Sequence, residues 1–394
     1  MSAISSALVI GGGIAGPVTA VALRKAGIDA RVYEAYPTPA HNIGSELGFA
    51  PNGLAALDNI GAGDLVRGVS LPLTHMRMSI GDKMIDMPSS AGEPMHVVAR
   101  GDLHRVLHDH AIAEGVAVEY SKRLIGVDET VHGVTARFSD GTSACADILI
   151  GCDGVKSSVR TIIDPAAPDA DYTGMLGFGG YATISTPVPA GTQTFAFGHK
   201  AYYLYWPTRD GRVAWGANLP HARHLTLAQA RATSNEEWLA ILSDTYAADR
   251  PGAELIANTA PDDFVAVGGL HIMPPVPHWS RDRLVLVGDA VHAPSNSTGQ
   301  GASLAVESGI ELARCLRDFD DVPTAFATYE SLRRPRVEEI AKRGAKTNHA
   351  KTFGPVMRRL MPLIMPMMFR STKVRDTLSA EQSYRIDWAG TAVR

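Results

Sequence analysis

Cysteine is scarce in this chain: 394 residues hold three, Cys145, Cys152 and Cys315. Their spacings match no CxxC or zinc-ligand pattern. An odd number leaves at least one thiol unpaired, which suits a reducing, cytoplasmic setting. No apolar run approaches the ~20 residues of a membrane span, so no integral membrane segment is expected. The opening MSAISSALVIGGG lacks a basic flank, and its short apolar run passes straight into glycines. It reads as a first buried strand and not as a signal peptide. An excess of one charge is also missing: 37 Lys and Arg stand against 41 Asp and Glu, for a net charge of −4. That offers no basic face for nucleic acid. GxSxG is absent, so no catalytic serine elbow is expected, and no HExxH or other metal-ligand spacing occurs. Internal repeats and low-complexity stretches are absent too.

What is present is an ordinary globular composition, 45% hydrophobic and 20% charged, in a chain long enough for two domains or one elaborated domain. Ala7–Ile10 is an apolar run ending in Gly11-Gly12-Gly13, Ile14–Ala26 has helical texture closed by Gly27, and Ala30–Glu34 is a second strand. Strand, glycine turn, helix and strand open a doubly wound α/β domain. Asp102–Glu114 predicts a helix stopped by Gly115. Val134–Phe138 and Ala144–Leu149 predict a hairpin around Asp140-Gly141, and a further short strand runs into Asp153-Gly154. From about Leu176 to Val267 aromatic residues crowd into strand-like runs, with a second hairpin at Asp210-Gly211 and a helix over Asn235–Tyr246. This predicts a mostly antiparallel sheet inserted into the α/β domain. Its aromatics read first as sheet core; because alternate residues of a strand point to opposite sides, about half are free to face a ligand cavity, and which half is left open. Arg283–Val287 then returns to the all-apolar style of a parallel strand, followed by Gly288-Asp289 and a helix from near Gln300.

Gly11-x-Gly13-x-x-Gly16 stands where a dinucleotide fingerprint must stand. Gly11 permits the tight turn, Gly13 lets a pyrophosphate approach the backbone, and Gly16 lets helix and strand pack closely, while the helix N-terminus offers free N–H groups. Glu34 ends the second strand eighteen residues after Gly16, the spacing of an acid that accepts from a ribose hydroxyl. The motif by itself does not choose between FAD and NAD(P).

Two later motifs choose. Asp153-Gly154-Val155-Lys156-Ser157-Ser158-Val159-Arg160 follows one apolar strand, and Gly288-Asp289-Ala290-Val291-His292-Ala293 follows another, leading into PSNSTGQGAS over 294–303. A glycine fingerprint, a DG motif and a GD motif in this order resemble the single-component FAD-dependent aromatic hydroxylases, the family of p-hydroxybenzoate hydroxylase. The resemblance spans residues 8 to about 316. It implies an α/β fold: a Rossmann-like FAD-binding domain over 1–75, 97–175 and 270–340, a β-sheet substrate domain over 76–96 and 176–269, and a C-terminal helical segment over 341–394. It implies that FAD, reduced by NADPH or NADH, reacts with O2 to a flavin hydroperoxide that hydroxylates or epoxidises a small apolar, aromatic or polyketide-like substrate. Oligomeric state is left open.

The resemblance also assigns roles. Gly11, Gly13, Ile14, Ala15 and Gly16 would cradle the pyrophosphate, and Glu34 would hold the adenosine ribose. Arg100, heading Arg100-x-x-Leu103, would contact the flavin side of FAD. Asp153 would serve FAD and the nicotinamide donor. Gly288 and Asp289 would bind the ribityl or pyrophosphate portion, and Gly299, Gln300, Gly301 and Ala302 would lie along the flavin ring edge. Pro294, Asn296 and Gln300 are candidates for the flavin face. The chain departs from the family at Asn296, where relatives have proline, at Ala35, where they often have a basic residue, and at Glu307-Ser308, where they have two acids. Asn296 keeps a reductase or dehydrogenase of the same superfold as the alternative. A protein that binds FAD without turnover is a further one.

Other residues are weighed against plainer roles. His292 reads first as a packing or hydrogen-bonding histidine and only second as a general base. Gly48, Pro51 and Asn52 resemble a family segment close to the isoalloxazine but equally suit a plain helix start. Ser157 and Ser158 start a helix, and Arg209 and Asp210 belong to a solvated turn. Met357, Met361 and Met365 fall on one helical stripe in a run that also holds Met367 and Met368. Prolines at 355, 362 and 366 should break it, leaving an apolar cap on the domain interface ahead of a substrate lid or a membrane contact.

Overall fold

The computed structural model describes residues 4–40, 45–81, 83–88, 92–185, 188–350, 360–361, 364–365 and 372–392. Strand Ser6–Ile10 sits inside a six-stranded sheet. Its order is Ser280–Arg281, Leu284–Leu286, Ile148–Gly151, Ser6–Ile10, Asp29–Tyr33, Ala117–Glu119. All pairings are parallel except the two-residue edge strand Ser280–Arg281. Val9, Ile148, Leu149 and Ile150 are wholly buried, as expected of parallel strands covered on both faces. Helix Ala15–Lys25 leaves the first strand and stops before Gly27, which has φ 86°. Helix Gly301–Asp318 packs beside it. A Cβ on Gly309 would stand 2.3 Å from Thr19 Oγ1, so the two helices meet at a glycine.

From Ser6–Ile10 the chain winds outward through Asp29–Tyr33 to Ala117–Glu119, then returns to lay Ile148–Gly151 on the other side. The strand order therefore reverses between Ser6–Ile10 and Ile148–Gly151. Doubly wound sheets bind ligands in the crevice at the carboxyl ends of such a pair. Gly11 and Cys152 leave the sheet there, side by side.

Ala144–Leu149 is two strands, not the single one expected. Ser143–Ala146 joins Gly133–Phe138 and Leu124–Thr130 in a three-stranded antiparallel sheet, whereas Ile148–Gly151 joins the parallel sheet. Asp147 makes the break. Its carboxylate accepts from the Ser5 and Ser6 amides at 2.7 and 2.9 Å and from both hydroxyls.

A seven-stranded sheet holds, in order, Thr259–Ile272, Asp171–Ala182, Val213–Pro220, Tyr202–Pro207, Thr192–Phe197, His75–Ile80 and Lys83–Asp86. It is antiparallel but for the pair Thr192–Phe197 and His75–Ile80. One face packs against helix Asn235–Tyr246, where Tyr203 and Tyr205 share a core with Trp238, Leu242 and Tyr246. Alternation sends Tyr202, Leu204 and Trp206 to the opposite face. A small antiparallel sheet of Glu46–Phe49, Met95–Ala99 and Leu71–Leu73 lies beside it.

Helix Val322–Ala350 runs unbroken through residue 340 despite Pro335. After helix Thr372–Gln382 the chain is strapped to helix Gly301–Asp318. Arg314 and Arg317 donate to the carbonyls of Asp387, Trp388 and Gly390, and the Ala392 amide donates to Asp318. Of the C-terminal methionines, Met357, Met367 and Met368 lie outside the described residues, as do Pro355, Pro362 and Pro366. Met361 is buried against Met78 and Ile80.

Candidate active site

The glycine loop is shaped by contacts within the protein. Gly11 has φ 108°, and a Cβ there would stand 2.4 Å from the Cys152 carbonyl oxygen; a Cβ on Gly16 would stand 1.9 Å from the Gly11 oxygen. Neither position tolerates a side chain, whatever binds nearby. Gly13 differs, since a Cβ there would meet no protein atom within 4 Å. Glu34 Oε2 accepts from the Gly12 amide at 2.6 Å, and Oε1 accepts from the Tyr36 amide at 2.9 Å. His104 Nε2 donates to the Gly12 carbonyl at 2.8 Å, a clamp that sequence reasoning missed.

A cavity of about 1670 Å³ opens from this loop. It is walled on one side by Gly13, Ile14, Ala15, Arg100 and Asp289, and closed above by the 294–302 loop, of which Pro294, Asn296, Gly299, Gln300, Gly301 and Ala302 all line it. A pocket for one drug-sized ligand is about 300–1,000 Å³, so this one has room for a dinucleotide and a second molecule. Gly11, Gly16, Glu34, Asp153 and Gly288 are not on its surface. Asp153 has a structural role as well. Its carboxylate accepts from the Ser157 hydroxyl at 2.5 Å and from the Ser158 and Val159 amides at 2.7 and 3.2 Å, capping helix Ser158–Ile163. The residues that reach the cavity from this motif are Gly154 and Val155.

Two helix N-termini aim into the cavity. Helix Ala15–Lys25 starts after Ile14 and helix Gly301–Asp318 after Gln300, and neither has a side-chain cap. Their first N–H groups and positive dipole ends are free to meet negative charge. Gly301, like Gly13, has nothing within 4 Å of its Cβ position. Asp289 is exposed at the cavity wall, with protein packed densely around it. Burial raises its carboxyl above the usual range, and the Arg100 guanidinium only partly offsets this. These groups fit FAD: open backbone at both helix starts, cationic and anionic side chains between them, and space for a long ligand.

The loop is held from behind. Asn52 Nδ2 donates to Gln300 Oε1 at 2.9 Å and to Glu307 Oε1 at 2.6 Å, so Asn52 is a buried strut and more than a helix start. Glu307 is fully buried against Arg333 at 2.6 Å and Arg336 at 2.9 Å. Burial alone would raise its pKa, but Arg333, Arg336 and Asn52 outweigh it and hold it below the usual range. His292 is a packing residue: Nε2 meets Ser308 Oγ at 2.9 Å, its ring lies by Trp279, and burial with Arg333 nearby lowers its pKa to about 3. Arg209 belongs less to solvent than expected, since it donates to the Ser70 carbonyl at 2.7 Å.

The floor of the cavity is the second face of the seven-stranded sheet. Phe195, Tyr202, Leu204 and Trp206 answer which half of the aromatics looks inward. Asn296 Nδ2 reaches Asn218 Oδ1 at 3.4 Å, joining loop to floor. Glu46, which no motif marks, stands at the wall and accepts from the Tyr181 hydroxyl at 2.7 Å and Trp206 Nε1 at 2.9 Å. Burial raises its pKa and those two donors moderate the rise.

A family model described as an FAD binding domain matches residues 5–344. The chain belongs to the FAD-dependent aromatic hydroxylases. The FAD-dependent urate hydroxylase of Klebsiella pneumoniae is 29% identical over 350 residues, covering 86% of this chain and 88% of that one. The 3-hydroxybenzoate 6-hydroxylase of Klebsiella oxytoca is 30% identical over 364 residues, covering 86% and 87%. Among solved structures, Klebsiella pneumoniae HpxO complexed with FAD and uric acid superposes with a TM-score of 0.83 at 26% identity, covering 96% of each chain. This hydroxylase is therefore an FAD-dependent monooxygenase, and the reductase without oxygen transfer is set aside. Among the described residues no helix is long and apolar enough to cross a membrane, and no cluster of metal-ligating side chains occurs.

Proposed function

We propose that this monooxygenase takes electrons from NADPH or NADH and hydroxylates or epoxidises a small, apolar aromatic or polyketide-like molecule lying between the sheet floor and the 294–302 loop. One observation carries the reading: a single cavity joins two helix N-termini without side-chain caps to an aromatic, apolar sheet face. The relatives' named substrates, urate and 3-hydroxybenzoate among them, are ring compounds, which supports a ring as the reacting part.

Bound FAD supplies two-electron chemistry with the nicotinamide donor and activation of O2. The chain's own residues bind, orient and keep water out. Amides of Gly13, Ile14 and Ala15 would donate to the pyrophosphate, with Gly11 and Gly16 holding the loop that presents them. Glu34 retains lone pairs for a ribose hydroxyl beyond those used by Gly12 and Tyr36. Arg100 offers charge to the flavin side, and Asp289 accepts from ribityl hydroxyls, with Gly288 setting its turn. Gly299, Gly301 and Ala302 would present backbone to the ring edge, where the helix N-terminus would favour negative charge. Gln300 is oriented by Asn52. Pro294 and Asn296 border the reacting face, and Asp153 acts through the Gly154 turn it braces. The apolar floor excludes water, which would otherwise divert activated oxygen to peroxide.

We further propose the division of the chain into an FAD-binding unit and an inserted sheet unit that bears the substrate. A cytoplasmic setting is proposed on the three free thiols, one of them exposed. The test is stopped-flow absorbance: anaerobic reduction by NADPH, then mixing with O2, with and without phenolic ligands. Ligand-accelerated reduction, product carrying one oxygen atom from O2, and little peroxide are expected. Ligand-independent reoxidation with stoichiometric peroxide under every condition overturns the reading.

A further inference from the structure

We infer that the outer floor of the cavity is a groove for a long apolar arm carried by the substrate, so that the substrate class is an aromatic or heteroaromatic ring bearing an extended alkyl or alkenyl chain. The inference rests on the reading of this cavity as the substrate site.

The register of the sheet defines the groove. Gly216 is paired with Leu204, Leu204 with Phe195, and Phe195 with Met78, so these four residues form one row across four strands on the cavity side. The 294–302 loop meets the sheet through Asn296 and Asn218, and Asn218 lies on the same strand and face as Gly216. From that strand the floor continues for three strand spacings to Met78, or about 14 Å. A ring placed under the loop leaves most of that length unfilled.

The chemistry of the groove suits a hydrocarbon. Met76 and Met78 line it from the sixth strand, Met87 from beyond the seventh, and Met365 from the C-terminal segment. Met361 closes behind Met78 and Ile80. Methionine has three rotatable bonds and a polarisable sulfur, which let it follow an irregular apolar ligand. Among the described residues that line the cavity, every Asp, Glu, Lys and Arg comes from outside the seven-stranded sheet: Glu46, Arg100, Asp289, Arg343, Lys346 and Asp376. A carboxylate at the far end of the groove would therefore find no cation on the floor, while a methylene chain would find the apolar row of Gly216, Leu204, Phe195 and Met78, with Gln193 beside it on the same face.

The probe is a series of para-alkylphenols running from phenol to para-octylphenol, titrated against the FAD-loaded enzyme by flavin difference absorbance. Each added methylene should tighten Kd about two- to fourfold, the equivalent of ~0.4–0.8 kcal/mol per buried CH2, up to a length beyond which the gain stops. Phe195→Trp narrows the middle of the row and should move that limit to shorter chains. Met78→Gln, similar in volume but polar, should reduce the ratio of Kd between short and long members. A Kd that does not change with chain length, absence of binding by every member, or a chain-length limit untouched by both variants overturns the groove. Oxygen consumption and product formation are followed separately. Coupled turnover without chain-length dependence removes the groove and keeps the monooxygenase reading of the site. Chain-length-dependent binding without oxygenated product keeps the groove and removes that reading.

Discussion

Replacing Gly13 by alanine separates a residue that serves the ligand from residues that serve the fold. A Cβ at Gly13 would meet no protein atom within 4 Å, and its φ is not in the left-handed region. The apoprotein should therefore lose nothing, and restricting the unfolded chain should stabilise it by up to about 0.4–1 kcal/mol. The FAD complex should suffer, because the added methyl group stands where the pyrophosphate must approach the backbone. Loss of one charge-assisted hydrogen bond costs about 1.5–3 kcal/mol, or about 10- to 150-fold in Kd. FAD at about a hundred times the parent's Kd stabilises the parent by about 2.7 kcal/mol; with a hundredfold weaker Kd the same concentration gives about 0.4 kcal/mol. Fluorescence titration of apoprotein with FAD gives the first quantity, and thermal unfolding with and without FAD gives the second. Gly16→Ala is the control. Its Cβ would stand 1.9 Å from the Gly11 oxygen, so it should damage the apoprotein itself. Parental FAD affinity in Gly13→Ala, or an apoprotein as damaged as Gly16→Ala, would refute the reasoning.

Glu307→Gln leaves the fully buried Arg333 without its carboxylate, and the expected loss is about 3–5 kcal/mol of unfolding free energy, measured by urea denaturation at neutral pH; a loss under about 1 kcal/mol contradicts the pairing. His292, with its folded pKa lowered to about 3, contributes stability in full above pH ~6.5. That contribution falls by about 1.4 kcal/mol per pH unit as the unfolded state takes up the proton, so moving from pH 7 to 5 should cost about 2 kcal/mol, and His292→Gln should flatten this slope. Asn296→Ala cuts the link between loop and floor at Asn218. A larger share of consumed NAD(P)H should then appear as hydrogen peroxide, measured by peroxidase-coupled assay, and unchanged coupling would exclude a role for the link in keeping water out.

Local chemistry made much of this protein legible in its sequence. The turn at Gly11–Gly16, the helix stops at Gly27 and Gly115 and the hairpin at Asp210-Gly211 depend on backbone conformations that glycine alone adopts easily. The helix over Asn235–Tyr246 depends on spacing within one segment. The order of three glycine-acid motifs pointed to FAD by resemblance to a family that carries them in the same order. Long-range contacts decided the rest. Ala144–Leu149 divides because Asp147 meets Ser5 and Ser6, some 140 residues away in sequence. Asp153 caps helix Ser158–Ile163, a role visible only once the chain is folded. Glu46, Asn218 and the cavity-lining methionines carry no motif, and they come together only when two sheets and a loop close on one cavity. Alternation along a strand says that half its residues share a face; which half looks at the ligand depends on the helix that covers the other face, and that choice belongs to the packed structure alone.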